Sequence, residues 1–430
     1  MRLKKKDDRS KIKNNQPLSL KSNSLWNLLG SLIHALTQWG ILISIAKLGS
    51  PEMVGVFTLA LAITAPLVLL YRFNLRSVVV SDGNNEYSFD DYYSLRVVST
   101  FIFIITMIII ALFYIPDWEI TLVIIIFSLS RAVESISDIL HGKLQQIERM
   151  DITAKSRIYK GIIALFIFSI IMFLFNNLVV ATSAYFISWL VILIYYDFPK
   201  TSAFEQFKFK FNKKEIKILF LLSIPLGIAQ LINSLNLNLP RYLLEYYHDP
   251  KVLGFLGAMI YIVNVGNNFI IAVNGAIMPR LSKYFTAGNI KKYLKLAIGF
   301  ILFIIAAGLI GIIIVRFLGK EILTLLYTAE YGAYKEEFFY LTIMGLLMYI
   351  SQVIGLCLTT TRTFKIQPYI NFITLIIIAV TSYLFIPENG IMGAIMSLVI
   401  GMSAQLFIRL IILIIVLNKN IRLRKLQNNE

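Results

Sequence analysis

The sequence predicts an all-α, polytopic membrane protein of about twelve transmembrane helices, and three observations carry that expectation. Apolar residues make up 57% of the 430-residue chain and charged residues only 15%, whereas a soluble domain is usually about a quarter charged. Runs of about twenty apolar residues, enough to cross a hydrocarbon core of ~30 Å as a helix, recur along the whole length. The net charge of +17 is also concentrated in the polar breaks between those runs. That is the distribution of cytoplasmic loops in a membrane protein rather than the basic face of a nucleic-acid binder, so no nucleic-acid partner is expected. The mean hydropathy of +0.74 agrees.

Twelve spans are read at roughly 25–47, 53–71, 94–115, 119–141, 156–175, 178–196, 216–238, 252–274, 294–316, 338–358, 366–386 and 391–417. The N-terminal stretch MRLKKKDDRSKIKNNQ is basic and has no apolar core or small-residue cleavage site, so it reads as a cytoplasmic tail and not a signal peptide. Thirty-three of the 41 Lys and Arg residues fall in the two tails and in the breaks of one side, including Arg72/Arg76/Arg96, Lys143–Lys160, Lys200–Lys217, Arg280–Lys295 and Arg362/Lys365. Six fall on the other side. This asymmetry places both termini in the cytoplasm. The exterior loops, such as PDWE and PENG, are short, and the longest covers about twenty residues around 316–337. None is large enough for an exterior enzyme domain.

The longest polar break, Asp197–Lys217, divides the spans six and six. The expected organisation is a basic tail 1–23, a six-helix bundle 24–197, a cytoplasmic linker 198–215, a second six-helix bundle 216–417 and a basic tail 418–430. PEMVGVF at 51–57 and PKVLGFL at 250–256 stand at matching places in the two halves, as parallel repeats about an axis along the membrane normal would place them. Two such bundles facing one another would enclose a central cleft.

The stretch Ile124–Lys143 carries Arg131, Glu134 and Asp138 inside an apolar run. Spacings of three and four put them on one helix face. A charge at mid-membrane costs at least roughly 2.5–3.5 kcal/mol, so such a face must meet protein or water. One reading makes Arg131 an anion site, since guanidinium is permanently charged and its fork suits phosphate oxygens. The other makes it a structural arginine neutralised by Glu134 or Asp138 one turn away. The two acids are also candidates for taking up a coupling proton or sodium ion. Arg241 and Glu245 at the outer end of span seven are spaced for an interfacial salt bridge, with a place at the cleft mouth as the alternative. Arg409 is expected to snorkel to the inner surface. The amides Gln230, Asn233, Asn236 and Asn238, then Asn264, Asn267, Asn268 and Asn274, fall on shared faces of spans seven and eight. They would glue helices or hydrogen-bond sugar hydroxyls in a cavity. His34 and Gln38 form an i, i+4 pair in span one that reads as packing.

Nothing in the sequence supports catalysis. There is no Gly-Lys phosphate loop and no His-Glu-x-x-His, so transport driven by this chain's own ATP hydrolysis is not expected. No cofactor or metal is expected, and the single cysteine, Cys357, excludes a disulfide within the chain.

Five motifs together resemble a known family: GSPEMVGVF at 49–57, ERMDITAKS at 148–156, NLPRYLLEYY at 238–247, IMPRLS at 277–282 and GKEILTLLY at 319–327. The chain resembles the polysaccharide transporters, or O-antigen-type flippases, of the multidrug/oligosaccharidyl-lipid/polysaccharide exporter superfamily. That resemblance implies a V-shaped pair of six-helix bundles in a bacterial cytoplasmic membrane. It implies alternating access to an undecaprenyl-diphosphate-linked oligosaccharide, with membrane lipids around it and a polymerase and chain-length regulator as partners. Arg131 would hold the diphosphate in a cationic cavity, and Arg280 would meet the substrate or anionic lipid on the cytoplasmic side. The acids beside Arg131 depart from a purely cationic cavity. A drug/cation antiporter of the same superfamily is the alternative, but it would carry a carboxylate in span one, and residues 25–47 contain none. A polysaccharide polymerase would need a large exterior loop.

Overall fold

The computed structural model describes residues 17–83 and 86–427; residues 1–16 of the expected basic tail 1–23 lie outside them. The described residues are helical with no strand. In chain order the helices are α1 (Leu20–Leu48), α2 (Pro51–Arg72), α3 (Leu75–Ser81), α4 (Phe89–Tyr114), α5 (Trp118–Gln146), α6 (Met150–Phe175), α7 (Leu178–Ile192) and α8 (Phe198–Ser202). They continue as α9 (Lys213–Tyr247), α10 (Pro250–Thr286), α11 (Ile290–Leu326), α12 (Lys335–Thr360) and α13 (Gln367–Gln427). Among the described residues, eleven helices are long and apolar enough to cross a membrane.

The last of these holds two crossings. α13 is interrupted at Gly390, whose φ of 51° and ψ of −125° suit a residue without a side chain. Beyond it the chain folds back on itself: a Cβ at Gly393 would strike the Phe385 backbone, and one at Gly401 would strike Ile378. A straight helix would hold residues 378 and 401 about 34 Å apart. The expected exterior loop PENG is therefore a one-residue break, and the crossings among the described residues number twelve. The fold is the all-α polytopic one expected.

Local chemistry starts and stops these helices. Asp117 caps α5 by accepting from the Ile120 N–H at 2.9 Å, and Asn177 caps α7 by accepting from Val180 at 3.0 Å. Pro51 and Pro250 open α2 and α10, where a missing N–H costs nothing. Asn176 takes a left-handed φ of 44° to end α6. The outward faces carry Phe101, Phe113, Phe166 and Phe317, between 62% and 79% exposed, which only lipid accommodates.

Two expected loops turn out to be helix. α11 extends to Leu326, so Arg316 and Lys320 stand on it and the expected twenty-residue exterior loop shrinks to the few residues around a 3₁₀ turn, Tyr331–Tyr334. α10 continues through Pro279 to Thr286 and carries Arg280. The linker is also not free: Lys208 and Lys210 donate backbone N–H groups to Asp90 and Ser94, both at 2.9 Å, and Phe207 lies against Phe89 and Tyr93.

The described chain divides into two compact units. One takes residues up to 41 with 67–230, and the other takes 42–66 with 231–430. The first is built around buried Phe103, Phe127, Phe168, Tyr185 and Trp189. In the second, Tyr293 and Cys357 anchor one cluster, and Tyr327 donates to the Ala258 carbonyl at 2.8 Å beside Tyr331. The N-terminal ends of α2 and α10 meet within this second unit. A Cβ on Gly55 would fall on the Pro250 carbonyl oxygen, and one on Gly254 would fall on that of Pro51. The two Pro-x-x-x-Gly motifs thus pack reciprocally, backbone against backbone, as small residues permit between membrane helices.

Candidate functional site

The first unit holds the charged face read on Ile124–Lys143. α5 places Arg131, Glu134 and Asp138 along one side, all partly buried, with side-chain exposures of 18%, 28% and 21%. Arg131 donates from Nη1 to Glu134 Oε2 at 2.7 Å and stacks 4.8 Å from the Phe127 ring centroid. Glu134 is also shared with Arg72, 3.2 Å away. Asp138 is shared between Arg76 at 3.5 Å and Arg96 at 3.3 Å.

The three partner arginines correct the sequence reading, which assigned them to a cytoplasmic loop. Arg72 ends α2, and Phe73 and Asn74 then take left-handed φ values of 51° and 50°. That reversal brings Arg76 of α3 back against α5, where it donates to Gln145 Oε1 from Nε at 3.0 Å and from Nη2 at 2.8 Å. Arg96 stands on the second turn of α4 with no exposed surface, donating to Ser135 Oγ at 3.1 Å. Its buried position was not readable because the polar start of α4 looks like loop; the signal was Asp138, an acid that needed a partner.

Four guanidiniums therefore face two carboxylates, each shared by two arginines. Each carboxylate can neutralise only one, so the cluster keeps a formal excess of two positive charges. Arg157 of α6 lies within electrostatic reach of both acids and donates to Ser31 Oγ at 2.9 Å. In an apolar surround of low dielectric, such an excess attracts a compact dianion strongly.

A second charged cluster in this unit escaped the sequence reading. A π turn, Leu193–Asp197, ends α7 and turns Asp197 inward at 1% exposure. Asp197 meets Lys160 Nζ at 2.5 Å and faces His141 Nε2 at 3.5 Å, while Lys160 also donates to Ser137 Oγ. Lys160, expected in a loop, is buried on α6. Lys143 of the same expected loop pairs with Glu205. His34 of α1 lies against Trp189, with ring centroids 5.8 Å apart, and Gln38 accepts from the Tyr185 hydroxyl at 3.1 Å.

The second unit holds the remaining candidates. Arg241 is buried and donates to Asn238 Oδ1 at 3.0 Å; it forms no ion pair with Glu245, which corrects the interfacial salt-bridge reading. Arg409 does not snorkel. It is 6% exposed and donates to the Ser351 carbonyl at 2.9 Å and to Asn371 Oδ1 at 3.2 Å. Gln405 also donates to Asn371 at 3.2 Å, and Asn371 donates to Asn233 at 3.5 Å, which ties one expected amide to this arginine. Neither Arg241 nor Arg409 forms an ion pair among the described residues. Asn267 accepts from Gln352, Asn236 is buried at 2% exposure, Asn264 is half-buried, and Asn268 and Arg280 are exposed. None of Asn236, Asn264, Asn268 and Arg280 is brought into hydrogen bonds with the others.

Comparison with known proteins decides the family. Residues 20–285 match the family described as polysaccharide biosynthesis protein. The chain belongs to that family. It is 29% identical over 391 residues to capsular polysaccharide biosynthesis protein CapF of Staphylococcus aureus, covering 89% of this chain and 96% of CapF. Its fold is similar to an inward-facing multidrug resistance MATE family transporter of the MOP superfamily, with a TM-score of 0.75 at 13% identity over 94% of this chain and 99% of that one. It is similar also to the lipid II flippase MurJ in an inward closed conformation, with a TM-score of 0.74 at 13% identity over 90% and 86% of the two chains. This chain therefore has a MOP-like helical fold.

Proposed function

We propose that this protein is a flippase that moves an undecaprenyl-diphosphate-linked oligosaccharide from the inner to the outer leaflet of a bacterial cytoplasmic membrane by alternating access. The product would feed assembly of a surface polysaccharide. The observation that carries this reading is the guanidinium cluster of Arg72, Arg76, Arg96 and Arg131 around Glu134 and Asp138. A diphosphate esterified at both ends carries two negative charges, which matches the formal excess of the cluster. Guanidinium forks pair with phosphate oxygens through two hydrogen bonds each.

Glu134 and Asp138 then have a defined task in this reading. They hold the arginines apart and balanced when no anion is present, and they share them with the diphosphate when it arrives. The polyprenyl chain stays in lipid. In this reading the candidate sugar-contacting groups are Asn233, Asn236, Asn264, Asn267, Asn268, Arg241 and, near the basic end of α10, Arg280. The likeness to CapF and to a lipid II flippase supports a lipid-linked glycan as the cargo.

The test is the leaflet occupied by lipid-linked intermediates in cells lacking the protein. Complete oligosaccharide units stranded on the cytoplasmic side are the expected result. Units already outside but unpolymerised would replace this reading with a polymerase. Unchanged lipid-linked sugars would favour a drug/cation antiporter, whose fold this chain shares.

A further inference from the structure

The turn after α12 and the far arm of α13 enclose a cleft that the flippase reading does not use. A turn links the two helices, and Arg362 in it takes a left-handed φ of 62°. Three threonines hold that turn. Thr361 and Thr363 both donate their hydroxyls to the Leu358 carbonyl, at 3.0 and 2.9 Å, and they lie 2.8 Å from one another. Thr359 accepts the Arg362 N–H through its carbonyl at 3.0 Å. The Thr361 and Thr363 hydroxyl hydrogens are thus spent on the turn's own backbone.

Arg362, Lys365 and, from the far arm of α13, Lys419 line the mouth of a cleft of about 660 Å³. None of the three forms an ion pair among the described residues, and no acid lines the cleft. Lys365, Ile366 and Ile412 also line a second cleft of about 460 Å³, which continues between the two arms of α13 past Tyr369, Ile373 and Ile408. Apart from Lys365 at its mouth, that continuation is walled by aliphatic and aromatic side chains. Three cations lining one cleft that adjoins an apolar groove describe the complement of one kind of molecule: an amphiphile with an anionic head and a hydrocarbon chain.

We propose that this cleft is a binding site for one anionic phospholipid of the surrounding bilayer. Its phosphate would sit among Arg362, Lys365 and Lys419, and an acyl chain would lie along the seam between Ile373 and Ile408. The cations stand at the end of a hydrophobic helix pair, where a bilayer presents its headgroups. The inference rests on the membrane fold and not on the identity of the transported cargo. A lipid held there would tie the turn after α12 to the chain's last helical arm.

Native mass spectrometry of the full chain with phosphatidylglycerol or phosphatidylcholine tests the site. Wild type should retain one phosphatidylglycerol more tightly than any phosphatidylcholine. The triple variant Arg362→Gln/Lys365→Gln/Lys419→Gln should hold it on the order of 100-fold more weakly, at about fivefold per cation. Ile373→Trp keeps the cations and fills the groove, and it should also release the lipid. Equal retention by wild type and the triple variant would overturn the proposal. So would full retention by Ile373→Trp, which would leave only a headgroup patch. Displacement of the bound phosphatidylglycerol by equimolar undecaprenyl phosphate would overturn it too, in favour of a substrate-tail site.

Discussion

Gly55 and Pro250 touch backbone to backbone: a single Cβ on Gly55 would occupy the place of the Pro250 carbonyl oxygen. The same relationship holds in reverse between Gly254 and Pro51, and Lys251 stands 3.7 Å from Glu52 across the crossing. Residues nearly two hundred apart in sequence therefore occupy equivalent places about a local two-fold axis. Each proline opens its helix and each glycine, one turn on, receives the other's carbonyl.

Gly55→Ala should lower the thermal stability of the purified protein, by the 1–3 kcal/mol or so typical of overpacking a close contact. The carbonyl it meets is backbone and cannot swing aside. Gly83→Ala, where nothing lies within 4 Å, is the matched control and should leave the melting temperature unchanged. Equal melting curves for the two variants would show that the crossing separates easily.

Arg131→Ala should abolish export of the surface polymer while leaving the protein in the membrane at normal levels. Arg131→Lys keeps the charge but loses the bidentate fork, and it should retain partial export. Export at wild-type rate by Arg131→Ala would remove Arg131 from the proposed diphosphate site.

Arg96 is fully buried against Asp138 and Ser135. Arg96→Met should destabilise the protein by roughly 3–5 kcal/mol, because Asp138 loses a partner in a dry surround. Asp138 still has Arg76 at 3.5 Å, which places the expected loss near the lower end. Arg96→Met combined with Asp138→Asn should recover part of the loss, read as a melting temperature above that of Arg96→Met alone.

Lys160 and Asp197 form the other buried pair, and their energies should be strongly non-additive. Lys160→Met and Asp197→Asn should each reduce the amount of folded protein in membranes. The double variant should be more abundant than either, since it leaves no lone charge. Additive losses in that cycle would mean the two groups are stabilised independently.

Asp82 lies in the polar break before α4. Its burial opposes ionisation, but the backbone N–H groups of Glu86 at 2.8 Å and Tyr87 at 3.2 Å, with the Tyr92 hydroxyl at 3.0 Å, outweigh that and hold its carboxyl below the ordinary range. A depressed carboxyl contributes stability that is complete above the unfolded value of about 3.9 and is lost as pH falls through the folded value. Thermal melts should therefore show Asp82→Asn losing less stability than wild type between pH 5 and the acid limit of folding. Parallel acid limbs would show that the hydrogen bonds to Asp82 are already lost.

The membrane class, the number of crossings and the charged face of α5 followed from composition and spacing alone. Apolar run length is a one-dimensional property, and helix periodicity alone puts Arg131, Glu134 and Asp138 on a shared side. Which cations answer those acids was not legible. Arg72, Arg76 and Arg96 sit beside polar breaks that resemble loops, and only the left-handed turn at Phe73–Asn74 brings them to α5. Arg409 reads as a snorkelling residue, yet α12 and Asn371 enclose it. Lys160 and Asp197 are 37 positions apart and are joined by a π turn that no periodicity announces. Sequence by itself determined which segments must enter lipid, because every such segment has to satisfy its own backbone and bury its own polar face. Only tertiary structure decided how the charges pair, because an ion pair depends on distances between helices that no single helix contains.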